Sequence, residues 1–272
     1  MKTSLRGIAE KAKQDKHYRF GNLYGMLNKS ALYCAWNGLN KKAAAGVDKE
    51  TARTFSRELT GNLDTLVEEL RSTQYKARLV KQVGIPKGNG KLRMLGLPTL
   101  RDKIVQKAVA DILSAIYEQD FLKCSYGYRP NVGAQTAVQD VTKELMKRYS
   151  YVVEADIKGF FDNIDHDWLM KMLEQRIKDK PFLGLIRKWL KAGILKTTGD
   201  VTHPETGCPQ GEWSVQSWQT SICTMLWTCG LKRSSRNRVV GTRTCAGWRM
   251  ISSAHSGIRK TQTDSIRHCQ AG

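Results

Sequence analysis

The stretch Tyr151-Val-Val-Glu-Ala-Asp-Ile-Lys-Gly-Phe-Phe-Asp-Asn-Ile-Asp165 constrains this chain more than any other. Its alternation predicts a half-buried strand, with Tyr151, Val153, Ala155 and Ile157 on one face and Val152, Glu154 and Asp156 on the other. Asp156 therefore stands at the exit of a strand, ahead of a Lys-Gly turn, two aromatics and an Asp-led helix start. Two readings follow. Asp156 caps the turn and Asp165 the next helix, or Asp156 is a metal-binding carboxylate of a phosphoryl-transfer site. The rest of the chain decides between them.

At 272 residues the chain can bury a real core in one large domain or two smaller ones. Its formal charge of +20 favours a polyanionic partner, and without a long apolar run that partner is nucleic acid rather than a membrane. The first residues carry no apolar core of a secretion signal. The seven cysteines show neither a CxxC pair nor zinc-site spacing, which reads as reduced thiols in a cytoplasmic protein.

In chain order, helical stretches are expected over Ile8–Lys16 and Tyr24–Asn37, followed by a turn at Gly46-Val-Asp48. Phe55, Leu59, Leu63, Leu66, Val67 and Leu70 predict an amphipathic helix over 54–71, possible to break near Gly61. Residues 76–98 predict two strands joined at Gly88-Asn-Gly90, with Lys87, Lys91 and Arg93 on the flanks. Read alone this is an ordinary solvated hairpin, though its cations could close over a triphosphate. Thr99 or Asp102 then opens a helix whose stripe of Ile104, Val105, Ala108, Ile112, Leu113 and Ile116 is core.

Ser125 to Gly133 is an aromatic, glycine-containing loop in which Arg129 either meets a nucleic-acid backbone or stacks on the flanking tyrosines. Residues 134–148 return to helix. Asp165 should cap a helix running to about Lys178, with Leu169, Met172, Leu173 and Arg176 at helical spacing, and a second helix follows Pro181. Thr206-Gly-Cys-Pro-Gln-Gly211 forms a tight loop.

Five motifs now stand in one order: Ile-Pro-Lys-Gly-Asn-Gly-Lys-Leu-Arg, Leu-Pro-Thr-Leu-Arg-Asp-Lys-Ile-Val-Gln, Tyr-Gly-Tyr-Arg-Pro, Ala-Asp-Ile-Lys-Gly-Phe-Phe-Asp and Thr-Gly-Cys-Pro-Gln-Gly. Together they resemble the group II intron reverse transcriptase/maturase family, over roughly residues 40 to 211. The resemblance implies an α+β fold, the fingers and incomplete palm of a right-hand polymerase with no thumb. It divides the chain into a basic fingers region (1–145), a partial palm (146–211) and a tail (212–272). It implies RNA-directed DNA synthesis and assistance to intron splicing, with intron or template RNA, a DNA primer and dNTPs as partners and two Mg²⁺ ions as cofactor.

By the same resemblance Asp156 is the first catalytic metal ligand, with the Ile157 carbonyl beside it. Lys87, Lys91 and Arg93 are similar to the triphosphate contacts, Phe161 to the gate against a ribose 2′-hydroxyl, and Gln210 to the loop glutamine at the incoming nucleotide. Two metals about 3.5 to 4 Å apart need several carboxylates to converge on them.

The pattern breaks after Gly211. The family's Tyr-Ala-Asp-Asp hairpin is missing, and Glu212 and Asp264 are the only acids among nine Lys and Arg residues. Trp213, Trp218, Trp227 and Trp248 crowd a tail with no sustained period, a composition unlike a disordered basic arm. Restoring one base at the Gly211 codon regroups Glu212 to Thr220, with permissible codons, into Gly-Val-Val-Ser-Pro-Val-Leu-Ala-Asn, as the family continues. In the same frame Trp248-Arg-Met-Ile-Ser252 regroups into Ala-Asp-Asp-Phe, the second Asp being forced by Met250 before Ile251. The expectation is therefore a frameshifted, poorly ordered tail, a palm sheet lacking later strands and leaving an exposed edge, and a chain that does not polymerise.

Overall fold

The computed structural model describes residues 4–86, 90, 92–121, 123, 125–127, 129, 131–146, 151–155, 162–208, 239–244 and 247–254. For residues 151–155, 239–244 and 247–254 only the backbone pairing is considered. The chain forms two compact units, Met1–Asp120 with Gly159–Met225, and Phe121–Lys158 with Leu226–Gly272.

The first unit is built around α5 (Leu100–Tyr117), against which α1 (Leu5–Gln14) and α2 (Lys29–Gly38) pack. Thr99 starts α5, its hydroxyl accepting the Asp102 N–H. The expected apolar stripe is buried, but burial goes further than one face: Asp102, Lys103 and Gln106 are at most 4% exposed. Lys103 can be buried because its ammonium donates to the Ala44 carbonyl at 2.7 Å. Gly46 approaches closely, since a Cβ there would stand 2.7 Å from the Thr99 Cα. No side chain fits that contact.

Several helix boundaries differ from the periodicity. The stretch expected as one helix from Tyr24 is a single 3₁₀ turn (Tyr24–Met26) followed by α2, because the Asn28 side chain accepts the Ala31 N–H and starts a new helix. The helix expected over 54–71 is α3 (Ala52–Phe55), opened by a reciprocal Thr51–Thr54 capping box, and α4 (Leu59–Arg71), with a 3₁₀ turn over Ser56–Glu58. The interruption thus precedes Gly61. Asp165 does cap α7 (His166–Glu174), accepting the Trp168 N–H, but α7 ends short of Arg176. Arg176 instead pairs with Asp120 at 2.9 Å and donates to the Asp15 and Tyr18 carbonyls, holding the N-terminal segment in place. Asp179 opens α8 (Lys180–Leu190) while its second oxygen accepts the Tyr24 N–H.

The predicted hairpin is β1 (Val80–Pro86) and β2 (Leu92–Leu97), antiparallel, with Ile85 opposite Arg93. Gly90 at φ +74° supplies the left-handed residue its turn requires. Two short strands unforeseen in the sequence, β4 (Ile194–Leu195) and β5 (Val201–Thr202), extend it to a sheet of order β2-β1-β4-β5, with β1 and β4 parallel.

In the second unit α6 (Ala134–Leu145) accompanies a sheet of order β3-β7-β6, formed by β3 (Tyr151–Ala155), β6 (Val239–Thr244) and β7 (Gly247–Ala254). The expectation is a palm sheet lacking the strands that carry the second carboxylates; a later strand does pair with β3, though it carries no acid: β7 runs antiparallel to it, with Ala155 opposite Met250 and Glu154 opposite Ile251. Backbone pairing asks only for an extended chain with free N–H and C=O groups, which a tail of any composition can offer.

Candidate nucleic-acid interface

The candidate residues divide between the units: the hairpin and the loop after β5 belong to the first, the loop before α6 and the end of β3 to the second. In the hairpin, Arg93 is half-buried, and its neighbours Leu92 and Met94 are 60% and 39% exposed. Apolar side chains exposed on a finger-like hairpin can be covered by a flat bound ligand. Lys87 and Lys91 lie outside the described residues.

Ahead of α6, Arg129 lies over the Phe121 ring at 5.2 Å and donates to the Ser125 carbonyl at 2.7 Å. It stacks on Phe121, a ring outside the motif; Tyr128 lies outside the described residues. Tyr126 turns inward, buried, and donates to the Asp140 carboxylate at 2.7 Å, tying the loop to α6.

Asp156, Ile157 and Phe161 follow β3 and, with Gln210, lie outside the described residues. On the near side of each gap the chain is anchored. His166, buried, meets the Gly207 carbonyl through Nε2 at 2.7 Å, the Gly207 N–H donates to the Ile164 carbonyl at 2.7 Å, and Asp165 bridges to Thr206. The segment 164–166 that follows Phe161 is thereby stitched to the segment 206–207 that precedes Gln210. His166 was not singled out by the sequence. An isolated His at a helix start has no period or motif to mark it.

The electrostatic centre of the first unit is a buried network. Tyr75, 2% exposed, donates its hydroxyl to Asp102 and accepts the Trp189 indole N–H at 3.0 Å. Asp102 also accepts from the Thr99 hydroxyl at 2.8 Å and the Arg78 N–H at 3.1 Å. Burial raises the Asp102 carboxyl above its ordinary range, against hydrogen bonds that act in the opposite direction. Burial, then the Asp102 charge, holds the Tyr75 phenol well above its usual value.

With this geometry in place, comparison with known proteins is direct. The family model for reverse transcriptase (RNA-dependent DNA polymerase) matches residues 85–225. The chain belongs to the reverse transcriptase family. Within it, the intron-encoded branch expected from the motifs is supported by the group II intron-encoded protein LtrA of Lactococcus lactis subsp. cremoris, 36% identical over 76% of this chain and 35% of that protein. Protein YkfC of Escherichia coli (strain K12) is 38% identical over 61% of this chain and 44% of its own length. The chain thus spans less than half of these reverse-transcriptase relatives. A chain of the partial Cas6-RT-Cas1–Cas2 complex shares the fold, with a TM-score of 0.52 over 93% of this chain and 41% of that one, at 22% identity. No helix among the described residues is long and apolar enough to cross a membrane.

Proposed function

We propose that this chain is the fingers and partial palm of a group II intron-encoded reverse transcriptase/maturase whose residues 212–272 are read out of frame, and that it binds intron RNA without extending a primer. The divisions 1–145, 146–211 and 212–272 are divisions of role in this reading. Template RNA, a DNA primer and dNTPs are partners of the in-frame enzyme, and the cytoplasm is its compartment.

One observation carries the reading. Reverse transcriptases use Mg²⁺, and a two-metal site needs carboxylates from more than one strand. The strand paired with β3 brings Trp248, Arg249, Met250 and Ile251 to the level of its exit, with no acid among them. The donor set, Asp156 with the Ile157 carbonyl, does not fit two metals, and no catalytic step is derived from it.

The register also supports the frameshift. The codons that regroup into two aspartates are those of Arg249 to Ile251, and Met250 and Ile251 stand opposite Ala155 and Glu154. The repaired pair would therefore enter the sheet beside the residue that precedes Asp156. In this reading Arg93, Lys87 and Lys91 retain their triphosphate roles, and Phe161 and Gln210 theirs, only in the repaired protein.

A second reading, a dedicated RNA-binding protein with no polymerase in its gene, draws on the +20 charge. Primer extension on an RNA template with Mg²⁺ separates the two. The 272-residue chain should incorporate no dNTP, and the gene repaired by one base at the Gly211 codon should yield a protein that does. Sustained synthesis by the unrepaired chain would sink the proposal, as would gene codons that do not regroup into the two motifs.

A further inference from the structure

In the first unit the extended segment 74–79 passes between the start of α5 and the end of α8, and with them encloses a cavity of about 970 Å³. Tyr75 and Asp102 line it, and the Asp102 carboxylate is already occupied by three donors. The other acid, Glu69, is held by Arg101 at 2.6 Å. Lys188 is spent on the Tyr75 carbonyl at 2.9 Å, and Arg187 on Asp167 at 2.7 Å. That leaves Lys76, Arg78 and Lys191, all exposed and without an acid partner among the described residues. Arg78 also borders a smaller cavity holding Asp48 and Glu50, so an anion is favoured only on the larger side.

We propose that this cavity grips the sugar–phosphate backbone of a nucleic-acid strand through Lys76, Arg78 and Lys191, without reading its bases. The cations supply point charges and one guanidinium fork, which suit phosphate oxygens. The cavity is at the upper end of the range for a ligand site and larger than one phosphate needs. Among the described residues that line it, Tyr75 is buried and the exposed His203 imidazole is the one ring open to a base, so the contacts on offer are chiefly to the backbone. Contacts of this kind position a strand and carry no sequence information. The inference rests on the nucleic-acid reading above but requires no catalysis.

The rim offers a clean probe. Gly184 sits exposed in α8, and a Cβ built there meets nothing within 4 Å. Glutamate favours helix over glycine, so Gly184→Glu adds an acid at the cavity without harming the fold.

The test is binding of the full chain to mixed-sequence and homopolymer single strands, RNA and DNA, by fluorescence anisotropy over a range of salt. Replacing Lys76, Arg78 and Lys191 together by Gln should reduce the slope of log K against log salt by about 2, three contacts at about 0.7 each. A control triple at Lys13, Lys42 and Arg57, exposed cations away from the cavity with the same charge change, should reduce it far less. Gly184→Glu should weaken binding several-fold and Gly184→Gln should not. The strand bound more tightly identifies the nucleic acid. Equal losses in the two triples, or equal binding by the two Gly184 variants, would each overturn the site. A wild type that binds neither strand at low salt overturns the site and the RNA-binding reading together, whereas loss shared with the control overturns the site alone.

Discussion

The chain contains two antiparallel hairpins that could hardly differ more in how their sequences support them. β1 and β2 are separated in sequence by residues 87–91, of which Gly90 is left-handed, and lie where the reverse-transcriptase model matches. β6 and β7 are separated in sequence by Cys245 and Ala246, residue types that two-residue hairpin turns do not favour, in the stretch proposed above to be read out of frame. Both nonetheless pair. The difference teaches that strand pairing is a backbone property with loose demands on side chains, whereas a metal site is a side-chain property, so the proposed change of frame would spare the first and remove the second.

The largest expected effect lies in catalysis. Repairing the frame should raise primer extension from background by at least about 10³-fold, the order of change expected when a metal-site carboxylate is gained or lost. Asp156→Ala in the repaired protein should return it to background. If that variant still extends primers, the second hairpin was never the defect.

Stability should separate the regions next. Tyr75→Phe removes one of the three donors to Asp102 and takes away the acceptor of the Trp189 N–H, which should cost about 1–3 kcal/mol in urea unfolding. Met250→Ala in β7 should change the same transition by less than about 0.5 kcal/mol if the tail pairs through its backbone alone. A comparable loss at both positions would show that the tail is as well built as the first unit.

Gly46→Ala should cost about 1–3 kcal/mol, because the new methyl meets backbone atoms of residues 98 and 99 rather than a movable side chain. An unchanged denaturation midpoint would contradict the close approach.

The smallest effect is in pH. Asp102 has a raised folded-state value, so its protonated form favours folding. The contribution is complete below the ordinary carboxylate pKa and is lost as pH rises through the raised one. Wild type should therefore lose slightly more stability than Asp102→Asn between acid and neutral pH. Parallel pH profiles would show that the hydrogen bonds cancel the burial.

Much of this was legible in the residues. Ser/Thr/Asp/Asn caps located helix starts at Thr99 and Asp165 because a cap is a contact between neighbours in sequence. The hairpin over 76–98 was readable from its turn, although its first residues line a cavity instead of pairing, since β1 begins only at Val80. Arg176 misled: it has helical spacing but serves as an anchor to Asp120, a partner no local pattern names. Phe121 as the ring under Arg129 was missed in the same way, with two nearer tyrosines in view.

The stretch from Tyr151 to Asp165 shows the boundary between the two kinds of knowledge. The sequence by itself determined the strand, the carboxylate at its exit, the family, and the point after Gly211 where the pattern fails. Those are matters of period, residue type and order, all local. Only the tertiary structure decided that β3 is flanked by β7 with Met250 at its end, that Asp102 is shared with Tyr75, and that Lys76, Arg78 and Lys191 face one cavity. Each of these joins residues far apart in the chain, and such contacts are set by which surfaces bury each other and not by any neighbouring residue.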